Sequence, residues 1–507
     1  MILGAGIYQV PLIRTARRMG LYTIVVSIPG DYPGFALADK IYELNTRDKE
    51  AILAAAEKEQ IDGICTSGTD VAVSTIGYVC EKMHLSGIPY EAAEILTDKA
   101  KMKDAFRQGG VSAADGMRVR SAEEAQKAAE QLGYPVVVKR VDSSGSRGIT
   151  VVEHSGQIEE AYENARNGSA RDYVLVEKFL RGTEIGVDGF VQNHKLVFLA
   201  PHTKFVYRGA HTTVPVGHAF PYGCSGALRE EIARQMQLAV TASGADQCSV
   251  NADVFVDGEK VWIIEMGGRT GATCIPELIS TYYGFDFYEQ MIKSALGEET
   301  DFQQTESCPC MAKLLLSPVS GTITQIDRDQ VERLRQEGLE LVLDYPEGHE
   351  VSAMADGTDR IGHVIVKTDR EAELDEQMKR VYRCIWIDGK IWRQSGKRKQ
   401  QNKKPGIFSR PQKRSERIPG FALPGISISG GPILITLFLQ ASSSSDSRLE
   451  SAVQPHRTRQ TVCVRSAYSE SRCGRREKAE QEVERRFDRQ ECIGVMVRIR
   501  DFARKAW

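Results

Sequence analysis

The 507-residue chain contains no CxxC pair and no run of about 18 apolar residues. The first absence excludes a zinc ribbon or a thioredoxin-type site, and the second a membrane-spanning helix. Its eleven cysteines are scattered singly from Cys65 to Cys492, which fits reduced, mostly buried thiols better than a disulfide framework. The opening MILGAGIYQV lacks the basic flank and cleavage site of a secretory leader, so a cytoplasmic setting with no membrane partner is expected. With 41% apolar and 26% charged residues the chain reads as globular, long enough for about three domains.

The formal charge of −2 conceals two kinds of chain. Residues 396–507 hold 24 basic against 11 acidic side chains, whereas residues 1–395 hold 42 against 57. From 395 to 507 the sequence passes through KRKQQNKK, SSSSDS and GRREK without sustained periodicity, the composition of a basic, low-complexity, disordered tail. A basic balance invites nucleic acid, but aromatic residues are few there and no binding motif occurs, so nucleic acid is not expected as a partner. The longest uncharged stretch of the tail, 418–445, is interrupted by Pro419, Pro424 and Pro432 and is too short of apolar residues to span a bilayer.

Ahead of the tail three units are expected, 1–92, 93–300 and 301–394. In the first, short apolar strands at 2–3, 22–26, 41–44 and 61–65 alternate with helices at 12–19 and 49–59, the pattern of a parallel sheet covered on both faces. The turn GAGIYQ supplies two of the three glycines of a dinucleotide fingerprint, with Gln9 at the third, and the next strand ends at Val26-Ser27 without a ribose-binding acid. A structural turn is the favoured reading, with an NAD-dependent dehydrogenase as the alternative. In the second unit, Asp98-Lys99 opens a helix that Gly109-Gly110 stops, and Ser121 caps another with Glu124 three residues on. VVVK at 136–139 and ITVV at 149–152 read as a hairpin with a Gly/Ser tip. The third unit has short β segments at 312–316, 341–343 and 362–367 and is expected to be small and β-rich.

Three features carry chemistry. Ser143, Ser144, Gly145, Ser146 and Gly148 at the hairpin tip expose backbone N–H groups suited to phosphate oxygens, and Lys139 adds a point charge, although the same residues suit an ordinary tip. The strand 173–176 runs into Glu177, Lys178, Phe179 and Leu180 and then Glu184, a backbone and acids fit to read an adenine edge and ribose hydroxyls, or simply a strand and its turn. The third is a hairpin with Asp253 and Glu265 at its ends. A three- or five-residue connection sets 253 opposite 265 on one face; a two- or four-residue connection pairs 253 with 264 and sends Glu265 to the other face. In the first register two carboxylates converge and call for a hard cation such as Mg²⁺. Arg269 follows in EMGGR, whose glycines let a ligand approach the backbone.

In this order, Lys99, Lys139 with its Gly/Ser loop, EKFL with Glu184, and Asp253 with Glu265 and Arg269 resemble the ATP-grasp superfamily over about residues 1–297. The resemblance implies an α/β protein with a Rossmann-like preceding domain, an ATP-grasp fold and a small β-rich C-terminal domain. It implies Lys99 and Lys139 on the phosphates of ATP with loop 143–148 closing over them, Glu177 and the backbone of Phe179 and Leu180 at adenine, and Glu184 at the ribose. Asp253 and Glu265 would hold Mg²⁺, with Mn²⁺ an acceptable substitute. Lys139 and Arg269 would serve catalysis, Arg269 steadying the phosphorylated intermediate or the acceptor carboxylate. The chain departs from the pattern at Gly267, where many members carry Asn as a further metal ligand. EMGGRTGATCIPELI is similar to the amino-acid and peptide ligase branch, which implies an ADP-forming ligase that joins a small-molecule carboxylate to an amine or other nucleophile through an acyl phosphate. A homo-oligomer is compatible with this reading. The alternatives are a carboxyphosphate-forming enzyme of the carbamoyl-phosphate synthase or biotin carboxylase kind, and an ATP-binding module without turnover. His202, Arg208, His211 and His218, read as lying in a loop, either face the acceptor or are satisfied structural residues.

Overall fold

A computed structural model describes residues 1–143, 148–208, 213–354 and 359–391. The expected tail lies outside these residues, as do Ser144, Gly145 and Ser146 of the tip and His211. The described residues all fall within one compact unit, Met1–Lys399.

The strands Ile2–Leu3, Ile24–Ser27 and Lys40–Glu43 form a three-stranded parallel sheet, and Cys65 adds a parallel bridge to Ile2. All four residues of Ile24–Ser27 are buried, as a strand covered on both faces must be. Helix Val10–Arg18 buries Leu12, Ile13 and Ala16. At the GAG turn the Gln9 side chain folds back: its Oε1 accepts from Gly6 N at 3.0 Å and its Nε2 donates to the Ser67 carbonyl at 2.5 Å. The residue at the third fingerprint position therefore fills the crevice a pyrophosphate would need, which leaves the dehydrogenase alternative without its phosphate seat.

A four-stranded sheet follows, in the order Gly116–Val119, Val174–Lys178, Val136–Lys139, Ile149–Val152. The expected hairpin is present, with Val136 opposite Val152 and Lys139 opposite Ile149. Helices Ala122–Leu132 and Ile158–Arg166 cover this sheet through Ala125, Ala129, Ile158, Ala161 and Ala165 against Val136, Val138 and Val176. Each fully buried valine contributes roughly 2 kcal/mol of apolar transfer.

The central sheet is eight-stranded, in the order Lys260–Gly267, Cys248–Asp257, Thr183–Gln192, Lys195–Arg208, Thr213–Phe220, Cys310–Leu316, Arg360–Val366, Glu340–Leu343. Two of these strands, Lys195–Arg208 and Thr213–Phe220, take up the described part of 202–218, the region read as a loop; Val197, Phe198, Thr203, Phe205, Val206 and Tyr207 are strand formers. The segments after 306 expected to stand as a separate β unit also contribute three strands here, entering through Phe220 opposite Cys310. The remainder of that region forms a second four-stranded sheet, Glu350–Val351, Gly321–Ile326, Ile385–Ile387 and Lys390–Ile391. No helix among the described residues is long and apolar enough to cross a membrane.

Candidate active site

The carboxylate hairpin closes with a two-residue turn, Gly258-Glu259, because Asp257 pairs with Lys260. Carried along the strands, that register would set Asp253 opposite Ile264 and turn Glu265 away. It does not, because Val254 pairs with Ile263 and Asp253 with Glu265, so Ile264 is an extra residue in a β-bulge. The bulge lies on the edge strand, where the Ile263 N–H donates instead to the Ser112 carbonyl at 2.8 Å. The two carboxylates thus stand side by side despite the even turn.

Between them and the neighbouring strand reaches Lys204, whose Nζ lies 2.7 Å from Asp253 Oδ1 and 2.8 Å from Glu184 Oε1. Lys99 approaches Glu265 Oε2 at 3.1 Å and donates to the Ser143 carbonyl at 2.5 Å, tying its helix to the hairpin tip. That helix, Lys99–Gln108, starts at Asp98, whose buried carboxylate accepts from Ala100 N at 3.0 Å, Lys101 N at 3.2 Å and the Tyr173 hydroxyl at 2.5 Å. From the four-stranded sheet, Lys139 forms an ion pair with Glu177, whose other oxygen lies 3.0 Å from Lys103 Nζ. Four ammonium groups, Lys99, Lys103, Lys139 and Lys204, are thereby matched by four carboxylates, Glu177, Glu184, Asp253 and Glu265.

The charges perturb one another. Burial opposes the ionised form of Glu265, but Lys99 and then Lys139 overcome it and hold the carboxyl down at about 2. Burial raises Asp253, against the pull of Lys204 and with a further push from Glu265. Burial works against the charge of Lys139, yet Glu177 outweighs it and raises the ammonium pKa. A site that keeps Glu265 ionised and Asp253 strained beside it suits a divalent cation with oxygen ligands, and the Lys204 ammonium already marks where positive charge belongs.

Arg269 sits at the border with the first sheet. Its Nη2 donates to Asp70 Oδ2 at 2.8 Å and its Nη1 to Asn251 Oδ1 at 2.9 Å, while its buried Nε has no hydrogen-bond partner among the described residues. Asn251 lies directly across the hairpin from Gly267, so an amide does stand near the departed Asn position, but on the facing strand and engaged by Arg269. A Cβ at Gly267 would come within 2.9 Å of Asp70 Oδ1, a carboxylate tip that would have to shift to make room. Asn251 Nδ2 also donates to Asp188 Oδ2 at 2.8 Å; the same carboxylate accepts from Gly271 N at 2.9 Å and meets His202 Nε2 at 3.1 Å. His202 in turn meets His218, which burial, then the His202 and Lys204 charges, keep neutral.

Residues 98–302 match the carbamoyl-phosphate synthase L chain, ATP binding domain family, and residues 313–388 match the L-amino acid ligase C-terminal domain 2 family. The chain belongs to the ATP-grasp superfamily. Formate-dependent phosphoribosylglycinamide formyltransferase of Methanocaldococcus jannaschii is 26% identical over 298 residues, which are 55% of this chain and 72% of the relative. Alanine–anticapsin ligase of Bacillus subtilis is 24% identical over 277 residues, 50% of this chain and 58% of the relative. The crystal structure of phosphoribosylglycinamide synthetase from Anaerococcus prevotii superposes with a TM-score of 0.64 at 28% identity, over 76% of this chain and 98% of that one.

Within this ATP-grasp ligase the structure brings together most of the residues singled out from sequence. Lys99, Lys139, Glu184, Asp253 and Glu265 share one charge network, and Ser143 joins it through its carbonyl. Gly148, at φ 67°, closes the tip by accepting from Arg140 N at 2.8 Å. Phe179 and Leu180 follow the end of their strand, half-buried. Glu177 is placed differently from the expectation: its carboxylate is held between Lys103 and Lys139 and is not presented to an adenine edge. His202 is a buried partner of Asp188, and His218 is a buried partner of His202, the satisfied alternative. Three residues escaped the sequence reading. Lys103 is one helical turn beyond Lys99, a spacing that would have revealed it. Lys204 shares the strand face of His202 by simple alternation. Asp70 follows the fourth strand position of a parallel α/β unit, where ligands gather.

Proposed function

We propose that this ligase uses ATP to phosphorylate a small-molecule carboxylate, releasing ADP, and that an amine then attacks the acyl phosphate, taking the acyl group and expelling phosphate. The observation that carries the reading is the bulged hairpin that sets Asp253 beside Glu265, with Lys204 paired to the first and Lys99 to the second. Lys99 and Lys139 take the β- and γ-phosphates, and the loop 143–148 excludes water from the reacting centre. Glu184 receives the ribose, and the backbone beyond Lys178 the adenine. Asp253 and Glu265 would hold Mg²⁺ or Mn²⁺, which neutralises phosphate charge when bound. Arg269, with its uncommitted Nε, orients the carboxylate for in-line attack or steadies the acyl phosphate. Each step is charge neutralisation plus positioning, as phosphoryl transfer requires. The match of residues 313–388 supports an amine acceptor over the carboxyphosphate alternative. The preceding unit, residues 1–92, closes the acceptor side through Asp70.

The test is a screen of pooled carboxylates and amines for ADP release by the full chain. With the right carboxylate and no amine, ADP forms slowly and hydroxylamine traps the hydroxamate of that acid. Stoichiometric AMP rules the mechanism out, and ADP without a trapped acyl product reduces it to ATP hydrolysis.

A further inference from the structure

Lys103 and Glu177 have no part in the chemistry above, yet they are among the most deeply placed charges in the site, 8% and 2% exposed. Lys103 projects from the same helical face as Lys99. Glu177 stands opposite Val137 and diagonal to Lys139, on the same face of the four-stranded sheet. On its other side a Cβ at Gly116 would come within 3.1 Å of Glu177 Cγ, so the carboxylate is packed in from that strand as well. Lys103 Nζ lies 3.0 Å from Glu177 Oε1 but is not aligned as a hydrogen bond, so it has a donor to spare when the other partner of Glu177 leaves.

A nucleotide phosphate arriving at Lys139 competes with Glu177 for the same ammonium. We propose that Lys103 is a positioning residue that retains Glu177 while the Lys139 ammonium moves from that carboxylate to a nucleotide phosphate. This rests on the reading of Lys139 as a phosphate ligand. No covalent bond changes: Lys139 exchanges one anionic partner for another, and the charge of Glu177 stays compensated by Lys103. Burial opposes the ionised form of Glu177, and Lys103, then Lys139, are the cations that overcome it; Glu265 acts on both lysines from the central sheet and Asp253 on Lys139. Without Lys103, nucleotide binding strands a buried carboxylate, which takes up a proton instead.

Isothermal titration of the full chain with AMP-PNP and MgCl₂, between about pH 6.5 and 8.5 in buffers of different ionisation enthalpy, reads this directly. Lys103→Met is expected to bind at least about tenfold more weakly at the alkaline end, to take up one proton per nucleotide, and to lose affinity by about tenfold per pH unit. Lys103→Arg is expected to stay within about threefold of the parent without proton uptake. Adding Glu177→Gln to Lys103→Met removes both charges and is expected to abolish the uptake and recover affinity. Lys103→Gln serves as the second neutral variant should Lys103→Met not fold, with the same expected uptake. Parental affinity in the neutral variants, or weakened binding without proton uptake and without recovery in the double variant, overturns the proposal. Unchanged affinity in Lys139→Met overturns the phosphate reading itself, and this proposal with it.

Discussion

Replacing Lys204 by methionine isolates the question of what balances Asp253 and Glu184, the first of them proposed as a metal ligand. Its ammonium is 2.7 Å from Asp253 and 2.8 Å from Glu184 while only 8% exposed. At an effective dielectric of 20 each contact is worth about 6 kcal/mol before desolvation, which takes back much of it. Removing the cation alone leaves two carboxylates uncompensated beside Glu265, so Lys204→Met should cost roughly 3 kcal/mol. For the Met1–Lys399 unit, with about 2.1 cal/mol/K of unfolding entropy per residue, that lowers Tm by about 4 °C. If Mg²⁺ binds at Asp253 and Glu265 as proposed, it supplies the missing charge, and the variant should gain more Tm from millimolar MgCl₂ than the parent does. Scanning fluorimetry in EDTA and in MgCl₂ measures both values. A variant as stable as the parent in EDTA, or equal Mg²⁺ shifts in the two proteins, would refute the idea that Lys204 stands in for the cation.

Lys139→Ala should lower turnover by roughly 10²- to 10³-fold in a steady-state ADP assay with the cognate substrates, the usual loss for a preorganised donor to developing charge; full activity would contradict the phosphate assignment. Glu265→Gln should abolish the response of nucleotide affinity to Mg²⁺. Because the Glu265 carboxyl is held down at about 2, its stabilising contribution is complete above the ordinary carboxylate range and fades as pH falls toward 2, so urea midpoints of the parent and variant should converge on acidification. His363 is held at about 3 by burial and then by Arg360, so below its ordinary value the unfolded chain binds a proton the folded one does not. Parental stability should therefore rise with pH between about 3 and 6.5, and His363→Phe should flatten that slope; an unchanged slope would assign it to other groups.

The first sixty-five residues are legible because buried Val and Ile runs alternate with helices, the second of which starts at a marked end, Asp48; helix Val73–Met83 has no capping side chain and is not. That Asp253 and Glu265 end one hairpin is legible too, but their register is not. Turn length is a local property, whereas the extra residue at Ile264 is set by what the edge strand meets at Ser112, a contact with no periodic signature. Asp70 meets Arg269 across 199 residues, and nothing near either announces the other. Glu177 was assigned to adenine from its position at a strand end, while the direction of its side chain is decided by two lysines, one of them on a distant helix. The strands after 306 are visible as strands, but which sheet they join depends on the free edge offered by Thr213–Phe220.

The matching of four lysines to four carboxylates also bears on how fast a nucleotide is captured. A cleft with unpaired cations draws a polyanion from beyond a Debye length, about 8 Å in physiological salt, and its association rate then falls steeply as salt is added. Here these four lysines are already paired, and their far field largely cancels against the four carboxylates. An approaching ATP meets little attraction until it is near enough to exchange partners with individual lysines. Association should accordingly respond weakly to ionic strength, with salt acting mainly on the lifetime of the bound state.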